Sequence, residues 1–150
     1  MPPPARTPIG LVLARTARTA SRAFDEALGV AGGSLPVWLI LLTLQTRELG
    51  NQRELADAVG IRGATVTHHL NAMEASGLVT RRRDPANRRV QHVKLTPAGE
   101  ALFRQLAGAA IAFDQRLRAG LDDRDVDVLD GLLGRLHANI ADGPPASPGH

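Results

Sequence analysis

The stretch spanning residues 62–95 changes its hydrophobic period part-way along, and that change restricts the fold more than any other feature of the chain. Up to Ser76 the pattern is helical, with Val66, Leu70, Met73 and Gly77 falling on one side. After Gly77 it becomes period two, and residues 78–83 and 90–95 read as antiparallel strands. In the second strand Val90, His92 and Lys94 share one face, and Gln91, Val93 and Leu95 the other. Asp84-Pro85-Ala86-Asn87 between them has the preferences of a type I turn, Asp first and Pro second. The same stretch carries Arg62, Arg81, Arg82, Arg83, Arg88, Arg89 and Lys94 against only Glu74 and Asp84, while the rest of the chain is slightly acidic. Positive charge concentrated in this way points to a polyanion, with nucleic acid ahead of an anionic membrane surface.

Ahead of the period change, residues 51–59 read as a short helix with Asn51 as N-cap and Glu54 three residues on, and Leu55, Ala56 and Val59 as its inner face. Gly60 ends it, and a second helical pattern begins at Ala64. Two short helices around a tight glycine-containing turn form a helix-turn-helix, and a basic hairpin directly after it is a wing. The outward side of the second helix carries Ala64, Thr65, Thr67, His68, Asn71 and Ala72, which are small or hydrogen-bonding residues suited to a major groove. A solvated face is the alternative. Arg88 and Arg89, at the wing tip, suit a narrow minor groove.

The flanks are helical. Leu13, Ala17, Ala20, Phe24 and Ala27 make one apolar face on a helix over residues 9–28, with Arg15, Arg18 and Arg22 off that stripe and Gly29, Gly32 and Gly33 stopping it. Ser34 caps the next helix, whose segment 37–44 is apolar nearly all round. Thr96 caps a long helix over residues 97–119, with Pro97 at its first position. A last helix opens at Asp122 or Asp123 and turns Val126, Leu129, Leu133, Leu136 and Ile140 to one side. These terminal stripes exceed what a small winged-helix domain covers, so a second copy of the chain is the expected partner, presenting two recognition helices to one face of DNA.

At 150 residues and 43% hydrophobic content the chain suits one folding unit plus a dimerisation layer. There is no cysteine, which excludes disulfides, thiol redox sensing and a cysteine-ligated zinc. No apolar run approaches the ~20 residues that span a bilayer, and the Pro-rich head lacks the apolar core of a signal peptide. A soluble cytoplasmic protein without membrane contact is therefore expected.

The ordered set of motifs resembles the MarR family of bacterial transcriptional regulators. It comprises Leu35-Pro-Val-Trp38, Asn51-Gln-Arg-Glu-Leu-Ala56 with Val59-Gly60-Ile61, and Ala64-Thr-Val-Thr-His-His-Leu70. Met73-Glu74, Gly77-Leu78-Val79 and Arg83-Asp-Pro-Ala-Asn-Arg-Arg89 follow, running into Val93-Lys-Leu-Thr-Pro-Ala-Gly99. The resemblance covers about residues 9–140. It implies a mainly α fold with a small β-wing: a winged helix-turn-helix domain over residues 34–96, a helical dimerisation region over 9–33 and 97–142, and disordered ends at 1–8 and 143–150. It further implies a homodimer on a pseudo-palindromic operator of double-stranded DNA, most often as a repressor. Arg62, Ala64, Thr65, Thr67, His68 and Asn71 would serve the recognition helix, and Arg81, Arg82, Arg83, Asn87, Arg88 and Arg89 the wing. Asn87 stands where the family's wing motif carries Asp, and Arg62 where many relatives carry a capping Ser. Members often release DNA on binding a small anionic aromatic. Arg15, Arg18, Trp38 and Leu42 are the candidates for that crevice, against plain core packing of Trp38 and solvated arginines.

Other classes find less support. His68 and His69 are adjacent, hence about 100° apart on a helix, and do not readily share a metal ion; a metal-responsive repressor stays an alternative, as does a winged-helix protein-interaction module. The acidic cluster Asp122, Asp123, Asp125 and Asp127 opens a surface helix with no nucleophile, base or phosphate loop beside it, so no enzyme and no cofactor is expected.

Overall fold

The computed structural model describes residues 5–46, 52–141 and 143. The expected cap at Asn51 and most of the Pro-rich head and tail lie outside them. Six helices and one hairpin follow among the described residues: α1 (Ile9–Val30), α2 (Leu35–Thr46), α3 (Gln52–Val59), α4 (Gly63–Ala75), β1 (Val79–Arg83), β2 (Gln91–Leu95), α5 (Pro97–Leu117) and α6 (Asp123–Ala141). A mostly helical chain with a small antiparallel sheet is the fold class that the sequence pattern implies. It divides into two compact units, Met1–Phe113 and Asp114–His150.

The first unit is built around α2, which is apolar nearly all round and buries Trp38, Ile40 and Leu41. Leu28, Leu55, Val66, Leu70, Met73, Val79, Val93 and Leu106 complete the core, so α1, the helix pair α3–α4, both strands and α5 all reach it. Each fully buried Leu or Val contributes roughly 1.5–3 kcal/mol. Phe24 stacks on Phe113 at 4.9 Å, and Trp38 on Phe103 at 5.5 Å.

Four local expectations need correction. The first helix passes through Gly29 to Val30, and the chain reverses only at Gly32, where φ is +96°. Leu28, absent from the expected stripe, lies one turn beyond Phe24 and is fully buried, which holds that last turn helical. Both strands start one residue late. The Leu78 N–H closes α4 on Met73 O at 2.9 Å, and the Val90 N–H turns back to Asn87 O at 3.0 Å. That second bond adds a β-turn over residues 87–90 to the bend at 85–86, where the Asp84 carboxylate accepts the Ala86 and Asn87 N–H groups. Finally, α5 stops at Leu117, short of residue 119.

The junction of wing and long helix is tightly made. The Thr96 hydroxyl accepts the Gly99 N–H at 3.1 Å and donates to Gly77 O, while the Thr96 N–H reaches Leu78 O at 3.1 Å. One side chain thus caps α5 and ties it to the end of α4. Gly99 is buried there, and a Cβ at this position would lie 2.1 Å from Leu78 O. In the second unit, Asp122 and Asp125 cap α6 reciprocally, each carboxylate accepting the other's N–H at 2.8 and 3.1 Å. No residue of α6 is buried, and Leu132, Leu133 and Ile140 are 48, 40 and 75% exposed.

Gly99→Ala is expected to destabilise the fold by about 1–3 kcal/mol, since the blocking atom is a backbone carbonyl that cannot rotate away. Urea unfolding measures this, and an unchanged midpoint would contradict the packing described.

Candidate nucleic-acid interface

The inward set Val66, Leu70 and Met73 turns the opposite side of α4 to solvent. Ala64, Thr65, His68, Asn71 and Ala72 are exposed there, and Thr67 is half-buried at the edge. Thr67 Oγ1 donates to Gly63 O at 2.9 Å and accepts from Gln52 Nε2 of α3. The His68 and His69 rings meet edge-on at 5.5 Å. Arg62 is the N-cap residue of α4, makes no side-chain cap bond and is exposed.

Across from α4 stands the hairpin, paired Val79↔Leu95, Arg81↔Val93 and Arg83↔Gln91 on one face and Thr80↔Lys94 and Arg82↔His92 on the other. Arg82, Arg83, Asn87, Arg88 and Arg89 are exposed. Arg81 departs from its neighbours, with a side chain only 15% exposed. Its Nε and Nη2 donate to the two carboxylate oxygens of Glu74 at 3.3 Å each, its backbone N–H donates to Glu74 at 3.1 Å, and Nη2 also donates to Asn71 Oδ1 at 2.6 Å. It is a clamp between β1 and α4 rather than a free wing cation. The adjoining guanidinium holds the Glu74 carboxyl below the usual carboxylate range.

The wing tip is ordered by acids and amides. Asp84 Oδ1 accepts the Ala86 and Asn87 N–H groups at 2.7 and 3.3 Å, and Asp84 Oδ2 lies 2.9 Å from His92 Nε2. Asn87, in place of the acid that the wing motif implies, accepts the Arg89 N–H at 3.2 Å. The His92 bond, followed by those backbone donors, holds the Asp84 carboxyl below its ordinary value.

Between the α3–α4 turn and the wing lies an open groove of about 1010 Å³. Among the described residues, Arg53, Arg62, Arg83, Arg88 and Arg89 line it against a single acid, Asp57. Sequence reading missed Arg53, whose i,i+4 relation to Asp57 on the exposed edge of α3 was the available signal. A smaller cavity of about 390 Å³ on the other face of the wing adds Arg82, His92 and Lys94. The residues suggested for a ligand crevice are not drawn together in the same way. Trp38 is buried on Phe103, Leu42 is half-buried in the core, and Arg15 and Arg18 are exposed on α1, with Arg18 Nε bonded to Ala14 O. Among the described residues no group of three or more His, Asp or Glu stands ready for a metal.

The fold has known counterparts. The family model described as MarR family matches residues 34–90. The crystal structure of transcriptional regulator PA3341 is 31% identical, covering 90% of this chain and 99% of that one, with a TM-score of 0.73. The chain belongs to the MarR family of transcriptional regulators. The transcriptional repressor CouR, bound to a 23-mer DNA duplex, is 26% identical over 86% of this chain and 92% of its own, with a TM-score of 0.78. CouR from Rhodococcus jostii RHA1 bound to p-coumaroyl-CoA is 25% identical over 93% and 95%, with a TM-score of 0.72. Within this MarR-family chain, α3 and α4 are the helix-turn-helix and β1–β2 the wing.

Because Asp84 ionises more readily folded than unfolded, its bonds stabilise the wing fully above the unfolded value of about 4, and that contribution is lost as pH falls through the folded value. NMR titration is expected to place the Asp84 midpoint below about 4, and His92→Ala to raise it. A midpoint unmoved by that substitution would contradict the assigned contact.

Proposed function

We propose that this MarR-family regulator is a homodimeric repressor that binds a pseudo-palindromic DNA operator in the cytoplasm and is released by a small anionic aromatic ligand. The observation that carries the reading is the five-arginine groove beside an uncharged, exposed α4 face. That combination suits a helix in the major groove flanked by cations on the phosphates. Arg62, Ala64, Thr65, Thr67, His68 and Asn71 are the proposed recognition-helix contacts, and Arg82, Arg83, Asn87, Arg88 and Arg89 the wing contacts, with Arg53 joining the groove wall. Arg81 takes the clamping role described above.

A second copy is supported by apolar surface that the single chain leaves open, at Ile9, Val12 and Leu13 of α1 and Leu129, Leu132, Leu133 and Ile140 of α6. Burying such surface between two chains would set two α4 helices on one face of the duplex. Release by a ligand is supported by two similar structures, a repressor CouR bound to a 23-mer DNA duplex and the CouR from Rhodococcus jostii RHA1 bound to p-coumaroyl-CoA. In this chain the proposed crevice residues are Arg15, Arg18, Trp38 and Leu42.

Footprinting on the DNA beside the protein's own gene tests the reading. Two protected half-sites about one helical turn apart are expected. Arg88→Ala with Arg89→Ala should weaken binding across sequences and lower its salt slope by about 2, with the fold intact. Undiminished binding by that double variant would contradict the wing assignment.

A further inference from the structure

The outward face of α4 offers four hydrogen-bonding side chains, Thr65, Thr67, His68 and Asn71, and two of these are already engaged within the chain. Thr67 has given its only hydroxyl proton to Gly63 O and accepts from Gln52, so it has no donor left. Asn71 is exposed, yet its Oδ1 accepts from Arg81 Nη2 at 2.6 Å. That guanidinium is itself fixed by both carboxylate oxygens of Glu74, and the Arg81 backbone N–H adds a further bond to the same carboxylate. The oxygen and nitrogen of a carboxamide project in different directions from one planar carbon, so an oxygen pinned on Arg81 turns the NH₂ away from it.

The geometry points to Asn71 as a specificity residue that donates to the base edge and so favours guanine, whose N7 and O6 both accept, over adenine, with Arg81 as the positioning residue that sets this polarity. The inference rests on the reading that α4 enters the major groove. An unconstrained Asn pairs with adenine through both halves of its amide, the oxygen accepting from N6 and the NH₂ donating to N7. Here one of the two lone pairs of the accepting oxygen already holds a guanidinium N–H, so adenine's amino group would have to share that oxygen with a fixed cation. Guanine presents only acceptors along that edge and requires the donating half alone. Glu74 enters indirectly: by holding Arg81 it keeps the cation on Asn71 instead of letting it swing to a phosphate.

Selection of duplexes from a random pool, using the full-length chain, tests this at the base pair whose preference disappears in Asn71→Ala. The wild-type protein is expected to prefer guanine over adenine there by about tenfold, the scale of one good base contact. In Arg81→Met the amide is free to turn, and adenine is expected to gain about tenfold relative to guanine at that pair alone. Asn71→Asp keeps an acceptor toward Arg81 and lacks the donor, so it is expected to lose the guanine preference. This exposed substitution keeps the test decisive where Arg81→Met loosens the wing. A wild-type preference for adenine, a guanine preference unchanged in Arg81→Met or Asn71→Asp, or an Asn71→Ala variant that alters no position would overturn the proposal. Failure of the wild-type protein to select any duplex would instead overturn the DNA-binding reading beneath it, and this inference with it.

Discussion

Burial of Val66, Leu70 and Met73 fixes the rotation of α4 about its axis, and the composition of everything outside follows from that rotation. With those three side chains inside, the opposite stripe carries Ala64, Thr65, His68, Asn71 and Ala72, and a single long anion, Glu74, falls on the side facing the wing. The same core reaches the hairpin through Val79 and Val93, so the strands are set against α4 by apolar packing before any polar contact is considered. Hydrophobic burial is non-directional, however, and alone it would leave the wing free to slide by small amounts.

Polar contacts remove that freedom. Arg81 crosses from β1 to Glu74 and Asn71, and Thr96 crosses from the end of β2 to the end of α4. Asp84 and His92 close the tip. These groups are partly exposed, and exposed ion pairs contribute little stability each. Their value lies in direction: they hold β1 and the start of α5 in place against α4, and keep the wing tip closed. Among the described residues the groove beside these pairs is lined by five arginines and one acid. Arg88 and Arg89 are exposed beside this tip, where Asp84 bonds the Ala86 and Asn87 N–H groups and His92, and Asn87 bonds the Arg89 N–H.

Local features of this architecture were legible in the sequence. The switch from helical to alternating period located α4, the wing and their relative phase, and Thr96-Pro97 marked the start of α5 because capping is a matter of adjacent residues. What escaped were contacts made across long separations. Arg53 joins the groove only once α3 is folded beside a wing more than thirty residues away. Arg81 looked like one of a run of three similar arginines, and only the strand register, which turns it inward opposite Val93, separates it from Arg82 and Arg83. Leu28 lay outside the apolar stripe read from spacing because its burial comes from the packed core, not from its own helix.

We propose that the α4–wing face recognises duplex DNA through phosphate neutralisation combined with base contacts in the groove. The most direct test is the affinity of the purified protein for its footprinted site across a series of salt concentrations. The logarithm of the association constant is expected to fall linearly with the logarithm of salt, by about 0.9 for each phosphate neutralised, giving a slope of several units for the cations gathered here. A flat dependence, or no preference for that site over unrelated duplex at any salt concentration, would contradict it.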